Sequence, residues 1–369
     1  MQNPIQKPLN PKATPTLVNK GQHLNTFGDE NVIKDVWQDN FDAEFRKIMK
    51  IVQDYKYVGM DTEYPGVVFP VTDSTNFDGT DGQEYTLIRT NVNKLKCIQV
   101  GLSFANEEGF APPGVCSWQF NLEFDKNNDI SSPESIELLE NSGIQFEKHA
   151  KIGIDPLLFA EYLVASGLLL NEEITWVCFH GGFDFGYLVK MVTCTGLPKD
   201  ESAFLKLFNI YFQNYYDVKF MISDYEKLKF SGLTKLAGDL NIKRSGTQHQ
   251  AGSDSLLTLS AYFKLRDVYF KGKIESKYVN TIYGFGNSQD YYIPYHNFQE
   301  QQQMIYSGYP MNMPNLGGSF YGQQDTVYQG MPQNNIYNYG FPGLGYPQTQ
   351  FVDPNARFSN FNTKDGLRK

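Results

Sequence analysis

The chain has 369 residues, of which 41% are hydrophobic and 20% charged, a composition typical of a soluble globular protein of one or two domains. Its formal net charge of −9 argues against a protein that coats duplex DNA by charge, but it is compatible with an enzyme that draws a strand end into a metal-loaded pocket. The cysteines form no CxxC pair, so reduced thiols are expected rather than a zinc site or disulfide framework, and neither a secretory signal nor a membrane span is expected.

Residues 1–30 are polar and carry four prolines, which is typical of a disordered arm. A helix is predicted next, because apolar residues recur there at spacings of three and four: Trp37, Phe41, Phe45, Ile48 and Val52. Asn40 is the expected N-cap of this helix.

A predicted strand begins at Tyr57 and runs into Asp61-Thr-Glu63. Alternate residues of a strand point to one face, so Asp61 and Glu63 are expected to project together. Two neighbouring carboxylates repel each other and resist desolvation, and a divalent cation removes that cost. Metal-dependent phosphate chemistry uses such pairs. The triplet alone is weak support, because the chain has 41 acidic residues and repeats the pattern at Asp224-Tyr-Glu226.

Turn-rich residues 71–84 are predicted to form a surface loop. Two strands near 97–104 and 117–124 are predicted to pair as an antiparallel hairpin. The later core is predicted to alternate helices at 133–141, 155–166, 183–194, 201–213, 232–240 and 253–270 with strands at 175–180 and 217–221. This order predicts an α/β protein with a mixed sheet.

The composition changes near residue 275, beyond which 12 of the 24 tyrosines lie among Asn, Gln, Gly and Pro. Such sequence buries too little apolar surface to offset chain entropy, and it is either an inert tail or prone to weak self-association. The predicted organisation is therefore a disordered arm at 1–30, a single core domain at 31–272 and a low-complexity disordered tail at 273–369.

Two later acidic residues lie where helices are predicted to begin. Asp184 follows an apolar strand and the Gly181-Gly182 turn, which would let the backbone approach a ligand closely. Asp254 falls in the first turn of the last core helix, with Ser253 as the expected N-cap and His249 five residues earlier on a loop. Taken alone, each aspartate is equally compatible with stabilising a helix N-terminus, and the histidine with solvation.

The ordered set Asp61-x-Glu63, Asp184 and Asp254, with His249 five positions before the last, resembles the DEDD superfamily of 3′→5′ exonucleases in its His-containing subgroup. Longer stretches resemble one branch, the Caf/Pop-type deadenylase catalytic subunit of the Ccr–Not complex. These stretches are Val36-Trp37, Val58–Gly66, Trp118–Asn121, Ser142–Phe146, Phe179–Leu188, Tyr216–Lys219 and Gln248–Leu256. The resemblance covers residues 32 to about 272 and does not extend to the polar ends.

This resemblance implies an RNase H-like, RNase D-type mixed sheet flanked by helices. It also implies a poly(A)-specific 3′→5′ exoribonuclease that shortens mRNA tails and releases 5′-AMP by a two-metal mechanism. Two divalent cations, Mg²⁺ or Mn²⁺, would be held by Asp61, Glu63, Asp184 and Asp254, with His249 as the general base. His180 is expected to contact the terminal nucleotide, and at least one of two nearby aromatic residues, Phe183 and Phe185, is expected in the core. Phe183 departs from the tyrosine that is common in the family.

The partners implied are poly(A) RNA, a Not-type scaffold subunit and a second deadenylase subunit, with no membrane. The expected location is the cytoplasm, including mRNA-decay granules, with the nucleus as a second location. Two alternatives stay open: an adaptor subunit of the same complex with weak activity, and a DEDD exonuclease with a different nucleic-acid substrate. The tail is a candidate for recruitment to RNA granules.

Overall fold

The structure, a computed structural model, describes residues 22–24, 32–71 and 82–286. Within these ranges the strands form one six-stranded sheet in the order β1-β4-β3-β2-β5-β6. The strands are β1 (Ile33–Val36), β2 (Tyr57–Glu63), β3 (Gln99–Ala105), β4 (Ser117–Asn121), β5 (Thr175–Cys178) and β6 (Asn214–Asp217). β2, β3 and β4 pair as antiparallel neighbours, and β1, β5 and β6 join in parallel. The predicted mixed α/β sheet and its β3–β4 hairpin are confirmed.

Helices cover both faces of this sheet. They are α1 (Phe41–Ile51), α2 (Gln83–Lys94), α3 (Pro133–Asn141), α4 (Phe146–Ile152), α5 (Pro156–Ala165), α6 (Gly182–Thr193), α7 (Glu201–Tyr211), α8 (Val218–Met221), α9 (Leu233–Asp239) and α10 (Ala251–Val268). The apolar residues of α1, α2, α5, α6 and α7 share one core with Val58 and Met60, whereas those of α8, α9 and α10 share a second core with Val177. Among the described residues, none of these helices combines the length and apolar character needed to cross a bilayer.

Side chains along β2 point alternately to the two faces of the sheet, so alternate residues face different helices. Val58 and Met60 face the α6 side, so the odd-numbered residues Gly59, Asp61 and Glu63 face α10. Glycines in the strands let α10 lie close: a Cβ on Gly59 would fall 2.6 Å from the Ser255 carbonyl oxygen. The first turn of α10 is thereby brought against the end of β2.

Several local predictions are wrong. The predicted edge strand at 217–221 is a strand only through Asp217, whose carboxylate accepts the Lys219 N–H at 2.9 Å and starts α8. The predicted loop at 71–84 gives way to α2 at Gln83, and residues 72–81 lie outside the described part. Asn40 does stand at the N-cap position of α1, but its Oδ1 accepts the Trp37 N–H instead of a helix N–H. β1, α2 and α4 were not predicted.

The core also extends beyond the predicted boundaries. Leu24 is buried, so the arm predicted for 1–30 contributes to the core at this point. The boundary at 272 is too early, because Tyr278, Ile282, Tyr283 and Phe285 are buried. Asn280 pairs with the outer edge of β6: its N–H donates to the Tyr215 carbonyl at 3.0 Å, and its Oδ1 accepts the Tyr215 N–H at 2.9 Å. Residues 1–21 and 25–30 of the predicted arm and residues 287–369 of the predicted tail lie outside the described residues.

Candidate active site

The end of β2 has an edge that no strand covers. β5 pairs with β2 only as far as Gly59, because β5 ends at Cys178 and the chain turns into α6. Asp184, in the first turn of α6, takes this edge instead. Its Oδ1 accepts the Thr62 N–H at 2.7 Å and the Thr62 hydroxyl at 2.6 Å. Asp184 is therefore fixed beside Asp61, and its role is not confined to stabilising its own helix.

The start of α10 is held by side chains from the sheet. Gln250, and not the predicted Ser253, is the N-cap, and its side chain makes no capping hydrogen bond. Gln99 and Gln119 replace that cap: their Oε1 atoms accept the first two helix N–H groups at 3.2 and 2.9 Å. Gln119 also donates to Gln250 Oε1 at 2.7 Å. Unsatisfied N–H groups at a helix start need such partners, and here the partners set where Asp254 lies.

Both oxygens of the Asp254 carboxylate are bonded within the protein. Oδ1 lies 2.6 Å from Arg244 Nη1, and Oδ2 accepts the His249 N–H at 2.9 Å. Arg244 also donates to Ser253 Oγ and Thr234 Oγ1, both at 3.1 Å. His249 has a φ of 60°, a left-handed conformation that few non-glycine residues adopt. Sequence reasoning missed Arg244, since a lone arginine on a loop carries no periodic signal.

The residues predicted to form the site come together. One pocket is lined by Asp61, Glu63, Asp184, His249 and Asp254. Within it, Glu63, His249 and Asp254 each offer one ligand atom, and these atoms all lie within 4.8 Å of one another. Side chains from β2, α6 and α10, separated by almost two hundred positions, thus meet in one cavity.

The electrostatics of this pocket favour a cation. Desolvation raises the pKa of Asp61 well above its usual range, and the charges of Asp184, Asp254 and Glu63 raise it further. Desolvation raises the pKa of Glu63 in the same way, with Asp254 as the next cause. Burial raises the pKa of Asp184 to about 6, although the Thr62 hydrogen bonds oppose this shift. Carboxylates that resist ionisation side by side, all hard oxygen ligands, fit divalent Mg²⁺ or Mn²⁺.

His180 lines the same pocket, on the turn between β5 and α6. Its Nε2 lies 2.7 Å from Glu84 Oε1 on α2, a partner that sequence reasoning did not find. Burial by itself lowers the pKa of His180, but the hydrogen bond and charge of Glu84 outweigh this and raise the pKa above its ordinary value. The His180 imidazole is thus suited to donate hydrogen bonds.

The glycines after His180 serve packing, contrary to the prediction that they admit a ligand. A Cβ on Gly181 would lie 2.4 Å from Cys178 Sγ, and one on Gly182 would lie 2.7 Å from Ile88 Cδ1. The left-handed backbone belongs to His180 itself, with a φ of 59°.

Two further residues of α6 lie in the core, as predicted for at least one of them. Phe183 stacks on Tyr64 with centroids 5.0 Å apart, and Phe185 is fully buried. The second Asp-x-Glu triplet does not line the pocket, because Asp224 accepts the Tyr278 hydroxyl at 2.7 Å elsewhere.

Comparison with known proteins places this site in a family. The profile described as "CAF1 family ribonuclease" matches residues 36–163. The poly(A) ribonuclease pop2 of Schizosaccharomyces pombe is 42% identical over 309 residues, which span 84% of this chain and 91% of that protein. The probable CCR4-associated factor 1 homolog 7 of Arabidopsis thaliana is 45% identical over 266 residues, which span 70% of this chain and 94% of that protein.

Solved structures show the same fold. The S. pombe Pop2p structure in its Mg²⁺ and Mn²⁺ bound form is 46% identical, with a TM-score of 0.66, and the match covers 69% of this chain and all of that one. CAF1 co-crystallised with the yeast NOT1 MIF4G domain is 31% identical, with a TM-score of 0.58, and the match covers 68% of this chain and 96% of that one. The predicted RNase H-like architecture is therefore confirmed.

Proposed function

The chain belongs to the CAF1 family of ribonucleases, and from this premise we propose that it is a 3′→5′ exoribonuclease that shortens poly(A) tails and releases 5′-AMP. The observation that carries this proposal is the meeting of Asp61, Glu63, Asp184, His249 and Asp254 in one pocket. A relative that is 42% identical is a poly(A) ribonuclease, which supports adenylate as the substrate.

The proposed cofactors are divalent cations, in support of which S. pombe Pop2p is seen in a Mg²⁺ and Mn²⁺ bound form, and we propose that the site takes two of them. Asp61, Glu63, Asp184 and Asp254 would hold them. When bound, the ions neutralise the crowded carboxylates and stabilise the charge that develops on the scissile phosphate.

The protein's own groups supply position and proton transfer. Arg244 and the His249 backbone hold the Asp254 carboxylate in one orientation. The His249 imidazole lines the pocket and would take the proton of the attacking water, since a neutral imidazole has a ring nitrogen that accepts a proton. Phe179, Tyr64 and Leu233 form the apolar part of the lining and offer surfaces on which a base can pack.

The direct test is removal of adenylates from a 3′-oligoadenylated RNA in Mg²⁺ or Mn²⁺. Asp61→Asn and Asp254→Asn should abolish the reaction, and His249→Ala should slow it about 10²- to 10⁴-fold if the imidazole is the general base. Asp224→Asn is the matched control, because it alters the second Asp-x-Glu triplet outside the pocket. Near wild-type rates in either pocket variant would refute the proposal. Parallel assays on mixed-sequence RNA and oligo(dA) separate it from an exonuclease with another substrate.

We further propose that the chain acts within the Ccr–Not complex, bound to a Not-type scaffold and a second deadenylase. The support is the yeast structure in which a NOT1 MIF4G domain is co-crystallised with CAF1. On α5 of this chain, Leu157 and Val164 are 51% and 42% exposed and stand seven residues apart on one helical face, a suitable contact for such a scaffold.

Binding and catalysis are separable on this view. The inactive Asp254→Asn variant should still co-purify with a MIF4G scaffold domain, whereas Leu157→Glu/Val164→Glu should lose binding and keep activity on free RNA. Glu172→Gln, at an exposed position beyond the end of this helix, is the control. Binding that survives the double substitution would exclude this face. The proposed location is the cytoplasm, including mRNA-decay granules, and the nucleus, which imaging of the full chain and of one ending at residue 286 would test.

A further inference from the structure

Lys219 is a buried lysine that has no part in the proposed reaction. It ends the stretch Tyr216–Lys219 and lies at the start of α8, directly after β6. The residue is 4% exposed, and its Nζ donates to the carbonyl oxygens of Lys229 at 3.0 Å and Ser231 at 3.1 Å. Burial lowers the pKa of Lys219 to about 8, so the protein keeps the ammonium group here at a cost in free energy. A charged group buried at such a cost is a candidate for a role in function.

The two carbonyl groups that Lys219 binds lie just before a wall of the pocket. Residues 222–232 connect α8 to α9 without a helix or strand, and α9 begins at Leu233. Its N-cap is Gly232, which has no side chain that could hold the start of the helix. The first two residues of α9, Leu233 and Thr234, line the pocket. Lys219 therefore fixes the segment that places these two residues.

Lys219 also lies close to a second apolar residue of the pocket. Its Nζ is 6.0 Å from the centre of the Phe179 ring, and Phe179 lines the pocket, whereas Lys219 does not. Asp217, two residues earlier, accepts the His180 N–H at 2.8 Å and so holds the turn that follows Phe179. Phe179 and Leu233, here called the apolar wall, are thus both positioned by residues at the end of β6.

The apolar wall and the acidic cluster line one pocket, so a ligand whose phosphate lies at the carboxylates also meets the wall. On a nucleotide the apolar group is the base, and bases pack on aromatic and apolar side chains. The cluster has its own supports, because Asp254 is bonded to Arg244 and to the His249 N–H. A displaced wall should therefore weaken the binding of a base and leave the carboxylates in place.

We propose that Lys219 is a positioning residue that holds the apolar wall in place to bind the base of the 3′-terminal nucleotide. The inference rests on the proposed ribonuclease function and deepens it. Lys219 touches neither the substrate nor the reacting atoms, and it acts through Leu233 and Phe179. This gives a role to the stretch Tyr216–Lys219, which lies outside the acidic cluster.

The first test uses the wild-type protein and two RNAs that differ only in the last nucleotide. One is an oligoadenylate ending in adenosine, and the other ends in 1-deoxyribose, which keeps the sugar hydroxyls and lacks the base. Loss of a packed base should lower kcat/KM about 10- to 100-fold. Equal rates on the two RNAs would overturn the proposal without any variant. Failure to cleave the RNA that ends in adenosine would instead refute the ribonuclease function.

The second test asks whether Lys219 is responsible for that base dependence. Lys219→Met keeps the length of the side chain and removes its donors. The advantage of the adenosine end should fall to about 3-fold or less, mainly through a higher KM, while the rate on the base-free end stays within about 3-fold of wild type. Lys219→Gln, whose shorter amide cannot reach both carbonyls, should show the same loss and replaces Lys219→Met if that variant does not fold.

Lys190→Met is the matched control, because it also removes a lysine that binds backbone carbonyls. Lys190 Nζ donates to the carbonyl oxygens of Val92 at 2.7 Å and Leu95 at 2.9 Å, and none of these residues lines the pocket. This variant should keep the wild-type advantage of the adenosine end. If the folded Lys219 variant keeps that advantage, or loses rate equally on both RNAs, Lys219 does not position the apolar wall.

Discussion

Asp184→Asn should stabilise the metal-free protein while it abolishes activity, because burying the ionised Asp184 carboxylate opposes folding. Burial raises the pKa of Asp184 from 3.8 to about 6, so the folded state holds this proton more tightly than the unfolded chain. The folded protein therefore loses stability as the pH rises from about 3.8 through about 6, and the loss is complete above that range. At about 1.36 kcal/mol per pKa unit, the ionised group costs about 3 kcal/mol at pH 7.5.

The amide of Asp184→Asn cannot ionise, but its oxygen can still accept both Thr62 hydrogen bonds. The pKa of about 6 already includes the stronger hydrogen bonds that the carboxylate accepts from Thr62, so most of this relief is kept and a gain of about 2–3 kcal/mol is expected at pH 7.5. For a domain of this size that gain corresponds to a rise in Tm of about 4–12 °C. Near pH 4 the variant should lose its advantage.

Urea unfolding from pH 4 to 8, with EDTA and then with Mg²⁺, measures both effects. Mg²⁺ should stabilise the wild type through its preference for the folded state and should stabilise Asp184→Asn much less. Asp54→Asn, which alters an exposed aspartate after α1, controls for the loss of one negative charge. If Asp184→Asn follows the wild-type pH profile in EDTA, or gains as much stability from Mg²⁺, the buried carboxylate does not destabilise the fold.

Three further predictions concern the scaffold around the site. Burial lowers the pKa of His149 to about 4, so the stability of the folded state should fall as the pH drops from 6.5 towards 4, by about 2 kcal/mol at pH 5. His149→Asn should reduce this pH dependence in urea titrations, and an unchanged dependence would show that His149 does not cause it. Gly101→Ala would place a Cβ 1.9 Å from a backbone carbonyl oxygen at the start of α10, so it should lower the free energy of unfolding by more than about 3 kcal/mol and reduce activity. A soluble, fully active variant would show that α10 can move away. A chain ending at residue 286 should keep the Tm of the full protein, whereas one ending at 272 should unfold at a much lower temperature because it loses four buried apolar side chains, and equal melting of the two would restore the earlier boundary.

Local sequence determined those features of this protein that depend on neighbours along the chain. Alternation on a strand projects Asp61 and Glu63 to one face, and the start of a helix puts Asp184 and Asp254 in first turns. The five residues of the site are recognised by their order and spacing along the chain. Neither property depends on the loops and surface residues around them. Short segments without a clear hydrophobic period were not predicted. For example, β1 has four residues of which only Val36 is buried, so its sequence shows no alternation of apolar and polar residues.

Only the tertiary structure decided which distant groups hold the site in place. Thr62 meets Asp184 across 122 positions because β5 stops short of the end of β2, and Gln99 caps α10 across 152 because α10 crosses β3. Asn280 joins the edge of β6 across 65 positions, from a segment whose composition resembles the tail. Strand order and helix crossing set these contacts, and neither leaves a period in the sequence. These polar partners therefore could not be predicted from the sequence. A buried N–H or carboxylate must form a hydrogen bond, and the tertiary packing decides which group it bonds to.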